Sequence, residues 1–196
     1  MTERLGNALM ALGAALLAAA LALFGWNLRQ ADAAARAAER MMPALMQQIQ
    51  QASETPVAVP PGEALPALQV DGHDCIGCLS IPALGLELPV LADWDDRLLK
   101  IAPCRYYGTA QGEDLVIMAH NYERHFGRLD ELAEGDEVLF ADAQGNVTRY
   151  EVTARNLLPA AAVEEMTAGE YDLTLFTCNY SGRARVTVYC DRAENG

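Results

Sequence analysis

Two predicted strands each end in a side chain that can do chemistry. Cys178 ends the segment LTLFTC, and His120 ends the segment LVIMAH. Arg183 and Arg185 follow the cysteine closely, and positive charge beside a thiol raises its thiolate fraction. A thiolate can attack a carbonyl carbon, an imidazolium can protonate a leaving amine, and a guanidinium can stabilise the oxyanion. These residues therefore allow acyl transfer, although packing cysteines and structural histidines are also ordinary.

The elements that would position these side chains are mostly short and apolar. Residues 115–119 form a continuous apolar run, which is typical of a strand buried on both faces. The turn sequence DAQGN at 142–146 predicts a hairpin. Strands are predicted at residues 76–81, 86–90, 115–119, 137–141, 147–154, 172–177 and 185–190. Short helices are predicted at 94–101, capped by Asp93 or Asp95, and at 126–132. Many short strands with turn signals indicate a sandwich or a closed barrel.

The N-terminal region contains an uncharged run of 19 residues, Ala8–Trp26. As a helix it would span roughly 28 Å, close to the hydrocarbon thickness of a bilayer. We expect a single-pass membrane anchor at 8–26, a cytoplasmic tail at 1–7 and an extracytoplasmic remainder. A cleaved signal peptide is the alternative, since Ala31–Ala33 resembles a cleavage site, but signal h-regions are usually shorter.

The anchor is followed by two connecting segments. Residues 27–53 are rich in Ala, Gln, Met and Arg and predict a helical stalk without a binding role, interrupted by Pro43. Residues 54–67 contain four prolines and predict a semi-rigid linker. The folded domain is then expected at 68–196.

Charge is divided unevenly between these regions. Residues 1–53 carry four arginines and three acidic side chains, a net charge of +1, so the remainder carries −14 of the formal total of −13. Because an acidic domain repels phosphate backbones, the composition argues against nucleic-acid binding.

Several stretches together resemble one enzyme family. Residues 174–178 read TLFTC, which matches the TLxTC signature of sortases. Arg185 follows seven residues later and opens an apolar strand, as the arginine of that family does. Upstream, the strand ending at His120 resembles the family's histidine strand, and residues 75–90 resemble its first two strands. Order and spacing agree from Ile76 to Arg192.

The resemblance implies a mainly β fold, an eight-stranded β-barrel with short helices, behind a transmembrane helix and a helical stalk. It implies cleavage of an LPxTG-like sorting signal through a thioacyl intermediate on Cys178. The acyl group would pass to an amine, usually on a peptidoglycan precursor. The implied partners are surface proteins with C-terminal sorting signals and a cell-wall amine, with no required cofactor.

The resemblance also assigns roles to residues. The expected catalytic residues are Cys178, His120 and Arg185, and the expected substrate-binding residues are Thr177, Ala119 and Asn121. Thr177 would also order the site through hydrogen bonds, and the segment 157–166 would add an apolar floor. Arg183 competes with Arg185, because residues two apart in a strand share a face. His125 is an alternative base, expected to be a solvated loop histidine.

The subclass stays open between class B-like and class D-like. The Asn121-Tyr122 pair resembles the class B pattern, but the segment 157–172 is short for the class B insertion. Asp93-Trp94 follows the first strand pair, whereas a pilus-type lid precedes it.

Two groups of residues invite a metal interpretation. One Cys75-x-x-Cys78 lacks the second pair that structural zinc needs, and residues three apart in a strand point to opposite faces. Cys75 and Cys78 are therefore expected to be ordinary cysteines of a strand that bind no metal. A calcium site like that of some sortases is weighed against a solvated loop at Glu131, Glu134 and Asp136.

Two alternative functions fit the same domain. A non-catalytic surface-binding domain would show no enhanced reactivity at Cys178. A thiol hydrolase of the same fold would transfer the acyl group to water instead of to an amine.

Overall fold

The computed structural model describes residues 2–55, 67–179 and 181–193. The helices are α1 (Thr2–Glu54) and α2 (Val163–Thr167). The strands are β1 (Leu68–Val70), β2 (His73–Ile81), β3 (Leu86–Leu91), β4 (Cys104–Tyr107), β5 (Leu115–Met118), β6 (Glu137–Asp142), β7 (Val147–Pro159), β8 (Leu173–Cys178) and β9 (Ala184–Arg192). The linker predicted at 54–67 lies mostly outside the described residues.

Eight of these strands close into a barrel. Their order is β2-β3-β4-β5-β8-β9-β7-β6, and β6 pairs back onto β2. The pairs β3–β4 and β5–β8 are parallel, and the other pairs are antiparallel. Strand β1 pairs with β2 outside the closed ring. The predicted eight-stranded barrel is therefore confirmed.

Strand β5 shows why its sequence is apolar on both sides. Leu115 and Ile117 belong to the main core, together with Leu173 and Leu175 of the neighbouring β8. Val116 points the other way and is also buried, in a second apolar cluster outside the barrel. A strand covered on both faces lacks the polar alternation of a half-exposed strand.

Helix α1 is continuous and has two different halves. Among the described residues, it is the one helix whose length and composition would allow it to cross a membrane, and its most apolar stretch is fully exposed. The second half, in contrast, packs on the barrel. It buries side chains at helical spacing against β1, β2 and β3, and these are Ala34, Ala38, Met41, Leu45 and Ile49. The expected free-standing stalk is thus docked, and the helix continues through the exposed Pro43.

A β-bulge in β2 changes the faces of two cysteines. The register of β2 against β3 shifts between Cys75 and Gly77, which inserts one extra residue and re-aims the strand. Cys75 and Cys78 consequently share one cluster beneath α1. The prediction that they point to opposite faces is wrong, because it assumed uninterrupted alternation. Gly77 is required here, since a Cβ would collide with the backbone oxygen of Ala141.

The two predicted short helices are shorter than expected. Each is reduced to a single 3-10 turn, at Leu98–Lys100 and Leu129–Glu131. The Asp95 carboxylate accepts hydrogen bonds from the backbone N–H groups of Arg97 and Leu98, each at 2.7 Å, so Asp95 is the cap. Such short segments gain few helical hydrogen bonds after the costly first turn.

Candidate active site

The parallel pairing of β5 with β8 brings His120 beside Cys178. Met118 lies opposite Phe176 in register, and the N–H of Ala119 donates to the carbonyl of Phe176 at 3.3 Å. His120 and Cys178 each lie two residues beyond this register pair. Neighbouring strands lie roughly 4.8 Å apart, so the imidazole and the thiol stand side by side at one rim of the barrel.

The antiparallel pairing of β8 with β9 places Arg185 on the other side of the thiol. Cys178 and Arg185 are direct register partners, and directly opposite residues project to the same face. Arg183 precedes β9 and is exposed. The structure thus places Arg185, rather than Arg183, in a row with His120 and Cys178, with the cysteine in the middle.

Thr177 ties the ends of these strands together. Its hydroxyl donates a hydrogen bond of 2.8 Å to the carbonyl of Ala119, and both residues are buried. This bond joins the residue before the cysteine to the residue before the histidine. The Ala119 side chain lies in the main barrel core, a placement that favours support of the site over direct contact with a substrate.

His120 is half-buried and surrounded by few charges. Burial lowers its pKa below the ordinary value, and the Lys100 cation lowers it further, with a partial opposing effect from Asp96. The ring lies against Tyr122, with centroids 4.9 Å apart. A neutral imidazole at neutral pH can accept a proton from a neighbouring thiol.

Two polar atoms beside the thiol are buried and unpaired. His120 Nε2 and Arg185 Nη1 have no hydrogen-bond partner among the described residues. A buried donor or acceptor without a partner costs free energy, and such costs are concentrated where a ligand supplies the missing partner. Both atoms flank Cys178, which is itself partly exposed.

An open groove of about 440 Å³ reaches Cys178. Asn121 and Thr177 line it, together with the exposed Leu157 and the acidic Asp130. Asn121 and Cys178 therefore line the same groove, and the substrate-binding role of Asn121 stays a prediction. His120 and Arg185 lie at the same end of the barrel but are not among the residues that line this groove.

On the outer face of the barrel, an apolar cluster adjoins the row of reactive residues. Phe176, two residues before Cys178, packs with Leu158 and Met166, which come from the segment expected to form an apolar floor. Tyr106 meets Phe176 edge-on at 5.2 Å, and the half-exposed Trp94 lies 5.4 Å from Tyr106. The sequence did not single out Tyr106; its only signal was an aromatic residue in a short strand.

The loop after His120 corrects one expectation. His125 is fully buried and not solvated, because helix α1 covers this loop. Its pKa is lowered to about 4, first by burial and then by the nearby His120. A base role for His125 would require access that this burial removes.

The groups considered for metals are engaged elsewhere. Glu131 pairs with Arg128 at 2.7 Å, and Asp136 accepts a hydrogen bond from the N–H of Ala133. Within residues 2–55, 67–179 and 181–193, no group of three or more His, Cys, Asp or Glu side chains could hold a metal ion.

The fold is a closed β-barrel, and the row of Cys, His and Arg at one rim is a candidate site for acyl transfer. Residues 79–193, more than half of the chain, match the family model described as the sortase domain. The chain therefore belongs to the sortase family, which confirms the resemblance seen in the sequence. Sortases are a family of cysteine transpeptidases.

Solved structures agree with this fold. A sortase D5 transpeptidase from Clostridium perfringens is similar with a TM-score of 0.59 at 16% identity, over 83% of this chain and 99% of that one. Sortase C of Streptococcus pneumoniae gives 0.57 at 22%, over 77% and 89%. A lid mutant of sortase A from Corynebacterium diphtheriae gives 0.55 at 20%, over 79% and 94%. No curated protein matches the chain. Such identities establish the fold, and the subclass stays open.

Proposed function

We propose that this protein is a membrane-anchored transpeptidase that cleaves an LPxTG-like sorting signal and joins the released surface protein to a cell-wall amine. The observation that carries the proposal is the pair of buried, unpaired polar atoms, His120 Nε2 and Arg185 Nη1, on either side of the Cys178 strand end. A peptide carbonyl bound at the thiol would give the guanidinium an acceptor, and the thiol itself would give the imidazole a partner.

The reaction proceeds in two acyl transfers. The imidazole of His120 takes the proton of the Cys178 thiol, and the thiolate attacks the carbonyl carbon of the Thr–Gly bond. Arg185 stabilises the oxyanion of the tetrahedral intermediate. The C–N bond breaks, the imidazolium protonates the departing amine, and a thioester remains on Cys178. An incoming amine then attacks the thioester, gives up a proton to the imidazole, and expels the thiolate.

The two surfaces beside Cys178 suit the two substrates. The apolar cluster around Phe176 and Leu158 matches the Leu-Pro part of a sorting signal. The open groove at Asn121 contains the carboxylate of Asp130, which favours an incoming ammonium group electrostatically. Helix α1 supplies the candidate membrane anchor that would hold this site outside the cytoplasmic membrane.

The test uses the full chain, a fluorogenic LPxTG-like peptide and an added amine. Cys178→Ala is expected to abolish turnover and thioester formation while the circular dichroism spectrum stays unchanged. Cys78→Ala, which removes a buried thiol at 7% exposure, serves as the matched control and should keep turnover. Transpeptidation by Cys178→Ala would refute the proposal.

Product analysis with and without the amine tests the transferase assignment. We expect the amine adduct to dominate when amine is present, because the thioester then has two competing acceptors. If hydrolysis product alone forms at saturating amine, the protein is a hydrolase and the proposed transfer to a cell-wall amine is wrong.

A further inference from the structure

The loop that follows His120 is held from outside the barrel by helix α1. Arg124 in this loop forms an ion pair with Glu39 of the helix. One residue further on, the His125 side chain is fully buried, and the backbone of Ala34 lies against its ring. Two consecutive loop residues therefore contact the same segment of the helix, residues 34–39.

His125 is an unusual residue to bury in this way. Both of its ring nitrogens lie inside the protein, and the backbone of Ala34 is the hydrogen-bonding group that lies against the ring. A buried imidazole with so few partners costs free energy that an apolar side chain of similar size would not cost. The groups that face it are His120, Tyr122 and Arg124 of its own loop and the Ala34 backbone of α1.

A continuous chain of contacts leads from His125 to His120. The Tyr122 ring lies 5.8 Å from the His125 ring and 4.9 Å from the His120 ring. The carbonyl of Tyr122 accepts hydrogen bonds from the N–H groups of His125 and Gly127, and the carbonyl of His120 accepts one from Phe126. The loop is folded so tightly that a Cβ at Gly127 would lie 2.7 Å from the carbonyl oxygen of Asn121. Displacement of His125 would thus be transmitted to His120.

Around Ala34, the residues of helix α1 that face the barrel have short side chains. Ala34, Ala35 and Ala38 are at most 3% exposed, and their short side chains let the helix axis lie close to the loop and to β3. Ala33, the preceding residue, is exposed. The close contact is therefore confined to one face of α1.

We propose that helix α1 is part of the catalytic unit: its segment from Ala34 to Glu39 positions the loop 121–130, and His125 is the positioning residue that transmits this contact to His120. The inference rests on the proposed role of His120 as acid/base. Because α1 is unbroken, Ala34 lies about 12 Å along the helix from Trp26, the end of the candidate membrane span. The same contact that positions His120 then also sets the height of the active site above the membrane.

The first test compares two neighbouring alanines of α1, one buried and one exposed, in the full chain in detergent. Ala34→Leu pushes the helix away from His125, whereas Ala33→Leu places the same side chain on the exposed face. The readouts are kcat/KM and the pKa of His120 from the ring signals in NMR spectra, which are simple because the chain has three histidines.

We expect Ala34→Leu to lower kcat on the order of 10- to 100-fold, because small misplacements of a catalytic group have such costs. The pKa of His120 should rise toward its ordinary value, since burial is what lowers it. Ala33→Leu should match the wild type in both respects. Wild-type values for Ala34→Leu, or equal changes in both variants, would overturn the proposal.

A second test removes the risk that Ala34→Leu disturbs folding. Glu39→Arg and Arg124→Glu each break the exposed ion pair, and the double variant restores it with reversed charges. Each single variant should lose about two- to fivefold in kcat, as expected for an exposed pair, and the double variant should recover. If the single variants keep the wild-type kcat, or if the double variant does not recover it, the positioning role of this contact is wrong.

These results can be separated from failure of the proposed function. If Cys178→Ala retained transpeptidation, the proposed chemistry would fail, yet the NMR titration of His120 would still report whether α1 controls its environment. If Cys178→Ala is inactive and the titration is the same in all α1 variants, only the positioning inference fails.

Discussion

Cysteines lie on two outer faces of the barrel. They are buried on the face beneath helix α1 and partly exposed on the other. Under helix α1, Cys75, Cys78 and Cys104 are buried in an apolar cluster with Met41 and Leu45. Burial raises the pKa of Cys75 and Cys104 to about 12 and that of Cys78 to about 11. On the other face, Cys178 is partly exposed at a strand end.

The difference lies in what covers each thiol and what stands beside it. The thiols beneath α1 have carboxylates as their nearest charges, which raise the pKa further, as Asp74 does for Cys75. Cys178 instead has an imidazole on one side and a guanidinium on the other. A thiol without cationic neighbours packs as a small apolar group, whereas one beside cations can serve as a nucleophile. The two groups of cysteines therefore differ in their burial and in the charge of the neighbouring side chains, although the residue type is the same.

The largest expected contrast is in thiol labelling. In native full-length protein, Cys178 should react with a methanethiosulfonate reagent about 10³-fold or more faster than Cys104, because a buried thiol reacts only when the structure opens. Peptide mapping by mass spectrometry after timed quenching measures both rates. The control is Cys178→Ala, in which Cys104 should keep its slow rate. Comparable rates for the two thiols in the wild type would remove the distinction between the faces.

A second prediction concerns Arg185, the cation beside Cys178. Arg185→Ala should lower kcat/KM by about 10²–10³, the usual effect of removing an oxyanion-stabilising group. Arg183→Ala is the matched control, because Arg183 is exposed and lies outside the row. Steady-state kinetics with the peptide substrate decide the point. An equal loss in both variants would assign the role to general positive charge instead of to Arg185.

The smallest expected effect is a loss of protein stability in acid, caused by His125, which is buried beneath helix α1. The pKa of His125 is lowered from 6.5 to about 4, by burial first and then by His120 and Arg124. Between these values the unfolded chain binds a proton that the folded chain does not bind. Stability should therefore fall as the pH drops from about 6.5 to about 4, by roughly 3 kcal/mol in total, and should level off below.

Urea unfolding at a series of pH values measures this dependence. His125→Asn is the control, since it keeps a polar side chain of moderate size but cannot titrate. Its stability should decline less steeply over the same pH range, with the remaining slope due to His120, whose pKa is lowered in the same direction. Identical slopes for the wild type and His125→Asn would show that the buried histidine is not the acid-sensitive group.

Much of the fold and of the candidate site could be read from local pattern. The apolar run 115–119 predicts a doubly covered strand because burial on both faces removes polar alternation, and the structure confirms it. The TLFTC motif, with His120 upstream and Arg185 downstream, predicts the family that the domain comparison establishes. Such features depend on neighbours in sequence or on a fixed motif order, so the sequence alone carries them.

Other features depend on which surfaces meet, and the sequence did not reveal them. The side of the stalk that packs on the barrel, the burial of His125 and the shared face of Cys75 and Cys78 all differ from the expectations. Helix α1, which is distant in sequence, decides the first two by covering the loop and the strand, whereas a bulge within β2, seen in its register against β3, changes the alternation of the two cysteines. The sequence determined seven of the nine strands and the order of the candidate catalytic residues, because these follow local chemistry, but it missed β1 and β4, which are only three and four residues long. Only the tertiary structure decided which thiols are covered and what holds the loop of His120, because burial is a property of pairs of surfaces and not of single segments.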